Sequence, residues 1–133
     1  MDISPARAVV EDPVCLVVDD DDAMRMLAVL QLIDLGGAVE QAGTFAEALQ
    51  MLEGGASFAM VVADRRLDAG TSGVDLLRRA AAADRAPSLF LMTAHVDHSV
   101  TAEAAAIGAG VVDKLDLQPL LDRWSTIVGG KDS

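Results

Sequence analysis

Val14-Cys15-Leu16-Val17-Val18-Asp19-Asp20 is the stretch that decides the fold. Five apolar residues, three of them valine, stand between Pro13 and an acidic cluster. A run this short, apolar at every position and rich in β-branched side chains, reads as a strand buried on both faces, as in a parallel sheet. The residues after it change period. Met24, Leu27, Ala28, Leu30, Gln31 and Leu35 recur at helical spacing, and Gly36-Gly37 supplies a stop.

The same alternation repeats along the chain. Ala38 to Ala42 is a weaker strand, and Thr44 with Glu47 three residues on reads as a capping box opening a helix that runs to Gly54-Gly55. Phe58 to Ala63 is a third strand ending at Asp64. A polar loop spans Arg65 to Ser72. The next helix carries Val74, Leu76, Leu77 and an alanine run, and Pro87 closes its connection. Ser88 to Met92 ends at Thr93, and a helix follows over about Ser99 to Ile107. Gly110-Val111-Val112 ends near Lys114, and Leu117 to Val128 is a last helix. Five strands alternating with helical crossovers predict a parallel sheet covered by helices on both faces.

The polar residues fall at one kind of place. Asp19, Asp20, Asp64, Thr93 and Lys114 each end a predicted buried strand. In doubly wound α/β sheets that rim is where ligands bind. Any one of these residues can be read as a strand simply ending. Three carboxylates on one rim are harder to explain that way, because they repel unless a cation sits among them. A hard, oxygen-seeking ion such as Mg²⁺ suits carboxylates, a carbonyl, waters and a phosphoryl oxygen. That combination points to phosphoryl transfer.

Composition excludes other classes. With 10 Lys and Arg against 21 Asp and Glu, the net charge of −11 opposes binding to nucleic-acid backbones or anionic lipid. Cys15 is the only cysteine, so an internal disulfide or thiolate metal cluster is impossible, and its apolar setting reads as a buried, inert thiol. The first twelve residues lack an apolar signal core, and no apolar run is long enough to span a bilayer. A cytoplasmic, single-domain protein is expected: a domain over 12–128 with flexible tails at 1–11 and 129–133. The initial Met and polar end favour a whole protein over a piece cut from a longer one.

Four pieces resemble receiver domains of response regulators, in order and over nearly the whole chain. Leu16-Val17-Val18-Asp19-Asp20 resembles their first-strand acidic motif. Ala63-Asp64-Arg65-Arg66-Leu67, followed by Ser72-Gly73-Val74-Asp75-Leu76-Leu77, resembles the acceptor strand and third-helix start. Leu91-Met92-Thr93-Ala94 resembles the strand bearing the switch hydroxyl, and Val112-Asp113-Lys114 the strand bearing the lysine. The resemblance implies a doubly wound, CheY-like fold with strand order 2-1-3-4-5 and five helices. It implies Asp64 as the phosphoacceptor, with Asp19, Asp20, Asp64 and the Arg66 backbone carbonyl holding Mg²⁺ or Mn²⁺. Lys114 would pair with the phosphoryl group, Thr93 would switch toward it, and small Ala94 would leave it accessible. Arg66 and His95 would flank it and limit entry of water. Partners would be a sensor histidine kinase or a histidine phosphotransfer protein. A downstream protein would bind the face made by the fourth helix, fifth strand and fifth helix.

Some positions depart from the family pattern. Val111 stands where an aromatic ring commonly reports the phosphorylated state. Leu115 follows the lysine where proline is common, and a non-proline cis bond there would cost about 3 kcal/mol. The loop after Asp64 lacks the usual Pro-Gly text. Within the acidic run, Asp22 is expected to cap the first helix and Asp21 to lie in the loop. Trp124 is expected in the core with Leu117, Leu120 and Leu121, unless exposure marks it as a contact. Two other functions compete. A degenerate receiver would bind partners without phosphate, as Val111 and Leu115 suggest. A Mg²⁺-dependent phosphohydrolase of the haloacid-dehalogenase kind would use Asp19 and Asp21, but Ala23 stands where it needs threonine.

Overall fold

The computed structural model describes residues 12–130. Its elements alternate throughout: β1 (Val14–Val18), α1 (Asp22–Asp34), β2 (Ala38–Ala42), α2 (Phe45–Glu53), β3 (Met60–Asp64), α3 (Gly73–Ala81), β4 (Ser88–Thr93), α4 (His98–Ala105), β5 (Gly110–Asp113) and α5 (Gln118–Val128). A single 3₁₀ turn, Asp68–Gly70, interrupts the loop between β3 and α3. All strand pairings are parallel, in the order β2-β1-β3-β4-β5. The expected doubly wound sheet with five helices is therefore present. β3 begins at Met60, two residues inside the apolar run that starts at Phe58. The tail expected at 1–11 lies outside the described residues. No described helix is long and apolar enough to cross a membrane.

Alternation along β1 divides the core in two. Leu16 and Val18 pack with Ala48 of α2, Leu76 and Leu77 of α3, and Val100 and Ala104 of α4. Cys15 and Val17 pack on the opposite face with Ala28, Val29 and Leu32 of α1 and Leu120 and Trp124 of α5. Both sides of the strand are thus dry, which is why it carries no polar residue until Asp19. Burial pushes the Cys15 thiol far up, consistent with an inert core sulfur.

Trp124 is fully buried, and its indole N–H donates to the Gly36 carbonyl at 3.1 Å. It is core, not a contact surface. Gly37 makes room for it: with φ +77° and a would-be Cβ 2.7 Å from Trp124 Cζ2, this turn requires glycine.

The residues whose spacing marks α1 as a helix do not all face inward: Leu27 and Leu30 are 54% and 56% exposed, and the buried residues are Ala28, Val29 and Leu32. α1 is apolar around most of its circumference, so period alone leaves its rotation undetermined, and small Ala28 seats it against the sheet. The cap of α1 is Asp21 rather than Asp22. Asp21 has extended backbone, and its carboxylate accepts from the N–H groups of Ala23 and Met24 at 3.0 and 3.1 Å. Asp22 is already helical and pairs with Arg25 at 2.8 Å.

Candidate functional site

Each candidate residue arrives at the C-terminal rim by a local cause. β1 delivers Asp19, which is fully buried, and the exposed Asp20 follows. The Asp19 Oδ1 atom accepts from the Asp21 N–H at 2.9 Å, fixing the bend into α1. β3 delivers Asp64, whose side chain is 13% exposed. β4 delivers Thr93, and the Lys114 N–H donates to the Thr93 carbonyl at 3.0 Å, which keeps the lysine beside that strand.

Those elements bring one ammonium between two carboxylates. Lys114 Nζ lies 2.9 Å from Asp64 Oδ2 and 3.0 Å from Asp19 Oδ2. The first contact is an aligned hydrogen bond. The second is an ion pair outside hydrogen-bond alignment, so the buried Asp19 Oδ2 receives no directed donor. Oxygens of Asp19, Asp20 and Asp64 all lie within 4.8 Å of one another. Leu115 does not displace Lys114: the Asp113 carboxylate accepts from the Leu115 N–H at 2.8 Å and holds the turn, and no cis peptide occurs among the described residues.

The electrostatics follow from this crowding. Burial, reinforced by the neighbouring Asp19 charge, raises the pKa of Asp64 above the ordinary carboxylate value, and Lys114 only partly opposes it. Burial alone would lower the pKa of Lys114, but the two carboxylates outweigh it and hold the ammonium charged. Three carboxylates against one ammonium leave the rim negative. With an undonated buried oxygen among them, the donor set suits a hard divalent cation.

The cleft beside this cluster has a volume of about 360 Å³ and is lined by Asp64, Arg65, Arg66, Thr93, Ala94, His95 and Lys114. The expected site residues Arg66, Ala94 and His95 are exposed there. The Thr93 hydroxyl donates to the His95 carbonyl and accepts from the His95 N–H, both at 3.2 Å. Arg66 is bracketed by two backbone bonds, Gly73 N–H to the Arg65 carbonyl and Leu67 N–H to the Thr71 carbonyl, each 3.0 Å. Val111 stands apart from the cleft lining, half-buried and paired with Leu91 across the sheet.

The family model described as the response regulator receiver domain matches residues 15–120. This chain belongs to the response-regulator receiver family. As a receiver it is a signalling domain of two-component systems. It is 36% identical over 115 residues to the transcriptional regulatory protein FixJ of Bradyrhizobium diazoefficiens, covering 84% of this chain and 53% of FixJ. The chain thus spans about half the length of that relative. A response regulator receiver protein from Pseudomonas putida superposes with a TM-score of 0.74 at 27% identity, covering 93% of this chain and 100% of that one. A response regulator from Burkholderia pseudomallei, solved with a phosphorylated aspartic acid, a calcium ion and citrate, gives 0.73 at 23% identity, covering 88% and 66%.

Three positioning residues escaped the sequence reading of this receiver. Arg25 donates through Nη1 to the Asp19 carbonyl at 2.6 Å and through Nε to Gln41, pinning the acidic loop from α1. Asp68 accepts from the Phe45 N–H at 2.7 Å and so ties the loop after Asp64 to the start of α2. Arg65 lies 3.4 Å from Glu103 of α4. Only the spacing of Asp22 and Arg25 carried a local signal, since the other two contacts join residues far apart in sequence.

Proposed function

We propose that this receiver accepts a phosphoryl group on Asp64 from a phosphohistidine, and that the resulting change of surface controls binding to another protein. The observation that carries the reading is the sharing of one half-buried ammonium by Asp19 and Asp64, with Asp20 near enough to complete a cation site. The Burkholderia pseudomallei relative, with its phosphorylated aspartic acid and calcium ion, supports it by likeness.

Asp19, Asp20, Asp64 and the Arg66 carbonyl would hold Mg²⁺ or Mn²⁺. Bound there, the ion would neutralise charge developing on the transferring phosphoryl group. Asp64 supplies a carboxylate oxygen that bonds to phosphorus as the phosphorus–nitrogen bond of phosphohistidine breaks. The imidazole keeps that electron pair and takes a proton from solvent. A carboxylate needs no general base for this step. Lys114 passes from the Asp64 carboxylate to a phosphoryl oxygen, where its charge is fixed in place before reaction. Thr93 exchanges its bond to the His95 carbonyl for one to the phosphoryl group, and Ala94 leaves the approach open. The exposed Arg66 and His95 slow attack by water on the acyl phosphate.

The donor is a sensor histidine kinase or a histidine phosphotransfer protein. By likeness to other receivers, the downstream protein binds the face made by α4, β5 and α5, which the exposed Val96 and Leu115 border. The domain performs only its own phosphorylation and dephosphorylation. The test is incubation with Mg²⁺ and acetyl phosphate followed by intact-mass measurement. Wild type gains one labile phosphoryl group and Asp64→Ala gains none. Equal labelling of both would overturn the assignment.

A further inference from the structure

Arg65 belongs to two places at once. It lines the cleft with Asp64, Thr93 and Lys114, and it lines a neighbouring recess with Glu103 of α4. Its Nε lies 3.4 Å from Glu103 Oε1, with the two side chains 26% and 46% exposed. Such a pair is long and partly solvated, so it is weak and easily exchanged. The Arg65 charge also reaches the other end of α4. Asp97 caps that helix, and its carboxyl is held below the usual range first by the Val100 N–H and also by Arg65.

Backbone bonds fix the other side of this lever. The Arg65 N–H donates to the Met92 carbonyl at 2.8 Å, and its carbonyl accepts from Gly73 at 3.0 Å. The Arg65 backbone is therefore held between β4 and α3, one residue beyond Asp64, while its side chain remains free to choose partners.

Phosphorylation would change the balance of that choice. An acyl phosphate on Asp64 replaces one negative charge by about two, with oxygens suited to a guanidinium. Lys114 is already shared between two carboxylates. We infer that Arg65 is a second phosphoryl-binding cation, and that its transfer from Glu103 to the phosphoryl group releases α4. The inference rests on the proposed acceptor role of Asp64. It gives this receiver a coupling device at a site with Val111 in place of an aromatic ring.

The test uses two variants that break the same ion pair from opposite ends. Purified full-length protein with Mg²⁺ is titrated with beryllium fluoride, a phosphoryl mimic, by calorimetry. Glu103→Gln frees Arg65 and is expected to bind the mimic about two- to fivefold more tightly than wild type, the range set by a partly exposed pair. Arg65→Gln removes the cation and binds more weakly, with Arg65→Lys restoring part of the loss. Hydrogen exchange in α4 rises on adding the mimic to wild type and is already raised in both variants without it. If the pair merely braces the fold, both variants shift affinity in the same direction or not at all, and the inference is overturned. Wild type that takes up neither the mimic nor phosphate from acetyl phosphate overturns the parent assignment as well. Uptake with no opposing shifts overturns this inference alone.

Discussion

Asp20 tests the cation site without disturbing the core. It is exposed, whereas Asp19 is fully buried against Lys114, so Asp20→Asn removes one proposed ligand and leaves the packing intact. Mg²⁺ at about a hundred times its Kd is expected to stabilise wild type by about 2.7 kcal/mol, because it binds only the folded arrangement. Asp20→Asn should lose most of that gain in a thermal melt while matching or exceeding wild type without metal, since it relieves repulsion. An undiminished Mg²⁺ response in the variant would place the ion elsewhere. At this scale the sequence was most legible. Asp19, Asp64 and Thr93 stood out because a strand buried on both faces tolerates a polar residue only where it leaves the core, and Lys114 because it ends the fifth apolar run. Arg25, Asp68 and Arg65 were not legible, because their partners, Gln41, Phe45 and Glu103, are brought near only by the fold.

Gly73 shows how an element's start sets the site. Ser72 caps α3 by accepting from the Val74 N–H, and a Cβ on Gly73 would lie 2.0 Å from the Asp64 carbonyl oxygen. The helix therefore rests directly on the backbone that carries Asp64. Gly73→Ala is expected to destabilise by about 1–3 kcal/mol in urea, as forced overpacking does, and to slow phosphoryl uptake by displacing Asp64. Unchanged stability would mean that the contact relaxes freely. The cap of α4 gives a pH prediction. The Asp97 carboxyl is held low mainly by the Val100 N–H, so its contribution is complete above the unfolded value of about 3.9 and fades as pH falls through the lower folded value. Asp97→Ala should melt below wild type at pH 7, and the gap should close in acid. A gap that widened there would contradict the sign. Element positions were readable from period and caps, as at Thr44, whose hydroxyl accepts from Glu47 N–H while Glu47 reaches back to Gly43 N–H. The rotation of α1 was not, because Leu27 and Leu30 fit the helical period as well as Val29 and Leu32. Only the docking against β1 and α5 chooses between them.

Across the whole molecule, the helix layer of α1 and α5 closes around Trp124. Trp124→Ala is expected to cost about 3–5 kcal/mol, leaving a cavity and the Gly36 carbonyl without its donor, and a loss under 1 kcal/mol would show that this layer is not a tightly packed core. The opposite end of the molecule gathers charge at the strand ends. There the fold holds three carboxylates within 4.8 Å of one another beside a single ammonium, and the proposed chemistry follows from that placement. The most direct test is to locate the phosphoryl group itself. Protein treated with Mg²⁺ and acetyl phosphate is reduced with borohydride, which converts an acyl phosphate to homoserine, and the digest is read by tandem mass spectrometry. Conversion at position 64, lost when Mg²⁺ is chelated, is the predicted result. Conversion at another aspartate, or at 64 regardless of metal, would contradict the account.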